Sequence, residues 1–175
     1  GLLDGLAQTH KAARITVACG ALAAPLFEAA PGVVRVIAIE KRSFAGHWLR
    51  LWADVALRSW DMVIDLRASA IAWTLFAGQR FVFRTNHVPG HRIEQLAALI
   101  NAVPPPAPRI YPSVAARRRA KELIPDGEPV LAIGPTANWV GKQWPSARFA
   151  ETVQRLTESG GVMPGARVAV LGAGS

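Results

Sequence analysis

Short apolar runs and longer amphipathic stretches take turns along this chain. Residues 14–20, 33–40, 62–66 and 80–84 are compact apolar runs rich in β-branched side chains, which predicts strands. Helical patterns lie between them. Over 47–59, Trp48, Leu51, Trp52, Val55 and Ala56 fall on one face of a helix while Arg50, Asp54 and Arg58 fall elsewhere. Another helix is expected over 91–102. Strands separated by helices of this length predict βαβ units with parallel pairing, an α/β fold.

After that helix, Val103-Pro-Pro-Pro-Ala-Pro108 can continue neither a helix nor a central strand, and it should run extended over the surface as a spacer. A basic helix over 113–124 follows, carrying Arg117-Arg-Arg-Ala-Lys121, and Pro125-Asp-Gly-Glu-Pro129 ends it. The domain division is therefore expected at 125–129, with a first domain over 1–124 and a second over 130–175. The pattern then restarts: strand 130–133, loop 134–145, helix 146–158, a Gly-rich turn and strand 167–171. So few elements do not bury a self-sufficient core. The chain opens without Met on a helical pattern containing Leu2, Leu3 and Leu6, and it stops just after a strand. A fragment lacking pieces on both sides is expected.

Composition narrows the partners. A hydrophobic content of 51% suffices for a globular core, and a net charge of +8 with a pI near 11.0 calls for an anionic partner: nucleic acid, a phosphorylated ligand or an acidic membrane surface. The single cysteine, Cys19, has no intramolecular disulfide partner and reads as a small buried residue of a reducing compartment. The apolar stretches 21–27 and 70–78 fall short of the ~18 residues of a membrane-spanning helix, so membrane contact is expected to be peripheral.

The loop 134–145 holds the most suggestive chemistry. In a parallel α/β sheet, ligands gather at the carboxyl ends of strands, where free amides at the next helix attract anions. Gly134 and Gly141 permit close backbone approach, Thr136 and Asn138 offer polar groups, and Lys142 supplies a point charge for phosphate. Ser146 is placed to cap the following helix. A solvated loop lysine is the plain alternative for Lys142, and the stretch lacks the Gly-Lys-Ser/Thr ending of a Walker A loop.

Gly134-Pro-Thr-Ala-Asn-Trp-Val-Gly-Lys-Gln-Trp-Pro-Ser-Ala-Arg-Phe-Ala150 resembles the Lys-x-Trp-Pro segment that opens the second domain of glycosyltransferase family 9, the ADP-heptose:lipopolysaccharide heptosyltransferases. Trp60-Asp-Met-Val-Ile-Asp-Leu66 is similar to the family's Tyr-Asp-x-Val-Ile-Asp-Leu strand, and Pro31-Gly-Val-Val-Arg-Val-Ile37 resembles the strand before it. The resemblance implies a GT-B enzyme of two Rossmann-like domains, the first binding a phosphorylated, lipid-linked sugar acceptor and the second a nucleotide sugar. It implies inverting heptose transfer from ADP-heptose to a lipopolysaccharide core, with no metal or cofactor, in the cytoplasm and peripherally at the inner membrane. Lys142, with Thr136 and Asn138, would then meet the donor phosphates. The same resemblance puts the catalytic base on a loop before Gly1 and the rest of the donor site after Ser175, so the fragment would be inactive; Asp4 reads as a solvated helix residue, not as that base.

The resemblance assigns Lys41 and Arg42 to the acceptor side, where a solvated loop is the alternative, and leaves acceptor contact open for His91. Arg67 follows Asp65-Leu66 at the carboxyl end of its strand, where first-domain ligands are met, while Asp65 is open to a structural pairing with Arg67 or with a neighbouring backbone donor. His87 and His91 have no further ligand at metal spacing. The Arg117 to Lys121 cluster reads as a solvated face, with anionic lipid contact as the sharper option.

Two other functions fit less well. Val168-Ala-Val-Leu-Gly-Ala-Gly-Ser175 has the look of a dinucleotide fingerprint, but two glycines after a second strand are a weak signal for an oxidoreductase. A nucleic-acid-binding module is disfavoured because the basic residues are scattered and the six tryptophans fall mostly on apolar faces.

Overall fold

The structure is a computed structural model that describes residues 1–40, 46–84, 90–137 and 139–172. The chain forms two compact units, Gly1–Ser113 and Val114–Ser175.

In the first unit, β1 (Ile15–Gly20) and β2 (Val33–Ile39) pair in parallel, Ile15 opposite Val33 and Gly20 opposite Ile39. Gly32 turns the chain into β2 at φ +76° and accepts from Ile15 N at 2.7 Å. A Cβ there would stand 3.2 Å from Ala13 O, so both the angle and the space favour glycine. Helix α1 (Leu2–Thr9) precedes this pair.

A second parallel pair joins β3 (Ser59–Asp65) to β4 (Phe76–Val82), from Ser59 opposite Phe76 to Asp65 opposite Val82. Helix α2 (Gly46–Val55) leads into β3. Arg35 of β2 bonds Asp54 of α2 at 3.1 Å, and Trp60 Nε1 donates to Val55 O at 3.0 Å. Leu51, Val55 and Ala56 are buried as the periodicity predicts, whereas Trp52 is 43% exposed. The buried face is thus narrower than its sequence pattern. The helix is also shorter than expected, because Ser59 is taken up by β3 pairing. A short helix α3 (Ile71–Thr74) precedes β4, and α4 (Arg92–Leu99) follows it.

The proline-rich stretch has no regular secondary structure but is fastened to α1. Gly1 N donates to Ala107 O at 2.6 Å, and a Cβ on Gly5 would stand 3.0 Å from Pro106 Cγ. Tyr111 hydroxyl donates to Asp4 Oδ1, and Arg109 Nε lies 3.4 Å from Asp4 Oδ2. Asp4 is consequently only 6% exposed. The expectation of a solvated Asp4 is corrected: its partners come from the far end of the unit and enclose it.

The second unit contains α5 (Val114–Leu123), β5 (Val130–Ile133), α6 (Ser146–Thr157) and β6 (Arg167–Val170). β5 and β6 pair in parallel, Val130 opposite Arg167 and Ile133 opposite Val170. The compact units divide at Ser113/Val114, so the basic helix α5 stands with the second unit, whereas the sequence pattern suggested 125–129. That turn is tied to β6: Arg167 N donates to Pro129 O at 2.9 Å, and its guanidinium reaches Pro125 O.

Parallel pairing in a mixed α/β chain is as the alternation of runs predicts. Among the described residues, six strands form three separate two-stranded pairs, and no residue in them is fully buried. A continuous Rossmann-like sheet is not formed by the described residues.

Candidate functional site

The loop after β5 is laced by its own hydrogen bonds. Lys142 N donates to Trp139 O at 3.0 Å and Gln143 N to Val140 O at 2.9 Å, closing a 3-10 turn over Val140–Lys142. Gln143 Nε2 donates to Ala137 O at 2.7 Å and bridges the base of the loop. Leu171 N donates to Ile133 O at 2.8 Å, extending the β5–β6 pairing to the point where the loop leaves. A Cβ on Gly172 would stand 3.7 Å from Thr136 Oγ1, so the threonine hydroxyl lies beside the backbone that ends β6.

Thr136 therefore lies beside the carboxyl ends of two parallel strands, the position at which α/β sheets meet anionic ligands, and Lys142 is carried by the loop that leaves there. Lys142 is exposed and makes no ion pair among the described residues. Asn138 lies outside the described residues. Ser146 is not the expected cap: it is the first residue of α6, Pro145 occupies the cap position, and no side-chain hydrogen bond caps the helix. Trp144 packs edge-on to Phe149, ring centroids 5.3 Å apart, which anchors the start of α6.

In the first unit, Asp65 closes the turn after β3. It accepts from Arg67 N at 2.8 Å, Ser69 N at 2.5 Å and Ser69 Oγ at 2.8 Å. These bonds hold Ala68 at φ +53°, a left-handed conformation costing about 1–2 kcal/mol for a residue with a Cβ. Asp65 thus takes the backbone-donor pairing that the sequence left open. Arg67 is exposed, with its guanidinium 5.9 Å from the Trp48 ring centroid.

His91 is the N-cap of α4: its Nδ1 accepts from Ile93 N at 3.3 Å while its own N–H donates to Glu94 Oε2 at 3.0 Å. Capping commits Nδ1 and leaves Nε2 as the ring atom for a ligand. Beside it, Arg92 covers the Phe83 ring at 4.5 Å, and Phe83 N donates to Asp65 O at 2.8 Å. The fold therefore brings Arg92 to the same strand ends as Arg67, a residue that sequence reasoning missed. Its signal was its place in the first turn of the helix after β4. Lys41, Arg42 and His87 lie outside the described residues.

Three features lie away from these strand ends. A cavity of about 230 Å³ is lined by Leu6, Met62, Phe81 and Ile100 together with the polar His10 and Gln79, and contains none of the candidate donor- or acceptor-binding residues. At Asp4, the hydrogen bond from Tyr111 to the carboxylate holds the phenol protonated and raises its pKa above the ordinary value. Cys19 in β1 is half-buried, less than its sequence setting suggests, and desolvation pushes its thiol pKa up.

No cluster of three His, Cys, Asp or Glu side chains suited to a metal occurs among the described residues, and no helix among them is long and apolar enough to cross a membrane. Comparison with curated proteins and with solved structures gives no match. The family model described as glycosyltransferase family 9 (heptosyltransferase) matches residues 91–168. The match takes in the His91 cap, the basic helix, the Lys142 loop and the start of β6, while the resembling segments at 31–37 and 60–66 lie outside it. Over these residues, the chain is similar to glycosyltransferase family 9.

Proposed function

We propose that the protein transfers heptose from ADP-heptose to a lipopolysaccharide core acceptor, with inversion at the anomeric carbon and no metal or cofactor. The observation that carries this reading is the exposed ammonium of Lys142, unpaired among the described residues, on a hydrogen-bonded loop at the carboxyl ends of β5 and β6, inside the family-matched region. As the sugar–phosphate bond breaks, negative charge accumulates on the departing nucleoside diphosphate. A fixed cation beside those oxygens lowers the barrier, because its attraction is stronger in the transition state than in the ground state. Thr136 Oγ1, with Asn138, is suited to donate to the same diphosphate.

Acceptor phosphates fall to the first unit. Arg67 and the neighbouring Arg92 supply guanidinium forks at the ends of β3 and β4, His91 offers Nε2, and the family resemblance adds Lys41 and Arg42 to the acceptor side. This reading carries a GT-B architecture and peripheral attachment at the cytoplasmic face of an anionic membrane; the net charge of +8 supports such attachment.

The test is transfer of labelled heptose from ADP-heptose by the intact enzyme. Lys142→Ala should lower kcat/KM by about 2–4 kcal/mol in transition-state stabilisation, with its circular dichroism unchanged. A variant as active as the parent would return Lys142 to solvent and remove the support for this assignment.

A further inference from the structure

Trp139 poses a question that packing does not answer. Its side chain is folded back so that the six-membered ring of the indole lies directly over Gly141. A Cβ at residue 141 would stand 2.6 Å from Cη2, 2.7 Å from Cζ2 and 2.9 Å from Cζ3. The backbone beneath is fixed by the 3-10 turn, in which Trp139 O accepts from Lys142 N at 3.0 Å. Yet the residue is 63% exposed. Trp144, five residues on, packs its ring on Phe149, whereas Trp139 lies against the loop backbone without being buried. Ordering a large apolar ring while leaving it in water forfeits the usual gain from burial.

We infer that Trp139 is a stacking platform for the nucleobase of the nucleotide donor and that Gly141 is the positioning residue that sets its plane. The inference rests on the assignment of Lys142 to the donor phosphates. Within one turn of chain the loop then presents a cation for the diphosphate and a flat π-face, and the base is the part of a nucleotide that offers a matching face. Aromatic stacking of this kind tolerates any base, so the platform contributes affinity, while the choice of base is left to other contacts.

Isothermal titration of the intact protein with ADP and with inorganic pyrophosphate tests this. Trp139→Ala should weaken ADP about 10-fold, within the range of one stacked base, and leave pyrophosphate unchanged. Trp139→Phe should keep most of the ADP affinity. Gly141→Ala, whose methyl group displaces the ring, should weaken ADP as Trp139→Ala does and raise donor KM with little change in kcat. The proposal is overturned if Trp139→Ala binds ADP as the parent does, if ADP and pyrophosphate weaken equally, or if only the sugar nucleotide is affected. Lys142→Ala is read separately: unchanged pyrophosphate binding would defeat the phosphate assignment while leaving a selective ADP loss at Trp139 standing. A parent protein that binds neither ligand overturns both.

Discussion

Arg167 holds Pro125 from 42 positions along the chain: its Nη2 donates to the Pro125 carbonyl at 2.7 Å and to that of Glu128 at 3.2 Å. The first residue of β6 thereby closes the turn that introduces its partner strand β5. Its Nε is buried without a hydrogen-bond partner among the described residues, so the guanidinium offsets only part of its desolvation. Arg167→Ala should destabilise the second unit by about 1 kcal/mol, the net scale of a hydrogen bond, and expose 125–129 to proteases. Urea unfolding and limited proteolysis check this. An unchanged cleavage pattern would mean that the β5–β6 pairing alone holds the turn.

Tyr111 ties the end of the proline-rich segment to Asp4, and its raised pKa gives the contact a pH signature. The neutral phenol is the bonded form. Its contribution is complete below the unfolded tyrosine pKa of about 10 and is lost as pH rises through the higher folded value. Tyr111→Phe should lower Tm at neutral pH, and the gap between variant and parent should close in alkaline buffer. A gap independent of pH would assign the loss to packing instead of the hydrogen bond.

At Cys19 the sign is the same and the readout is chemical. A thiol whose pKa is pushed up by desolvation carries less thiolate at a given pH, so iodoacetamide should modify native Cys19 more slowly than the same residue in urea. Equal rates would show that β1 leaves the sulfur as accessible as in an unfolded chain.

Lys41 and Arg42 carry the acceptor side of the proposal. Reversing both charges should weaken binding of the phosphorylated acceptor more than binding of duplex DNA in the same buffer, since DNA reads only the overall positive field. Anionic vesicles should bind the parent protein better than neutral ones, with salt reducing the difference. Equal losses for acceptor and DNA would reduce the two residues to generic charge.

The sequence by itself determined that short strands alternate with helices and that the strands pair in parallel. Val33–Ile39 and Val130–Ile133 are apolar runs whose extended preference is local, and their spacing by helices leaves parallel pairing as the short connection. It also placed Lys142 in a loop between a strand and a helix, because glycine and proline punctuate that stretch within a few residues. Tertiary structure decided which of those side chains have partners. Asp4 reads as an ordinary exposed helix residue until Tyr111, 107 positions away, closes over it. Arg92 gains its place near the end of β3 only through Phe83 and the β3–β4 register. The Trp139 ring rests on Gly141 because the intervening turn folds back, a geometry that depends on torsions rather than on residue type. Local preference is written in neighbouring residues, whereas burial and contact are properties of atoms that the chain brings together from a distance.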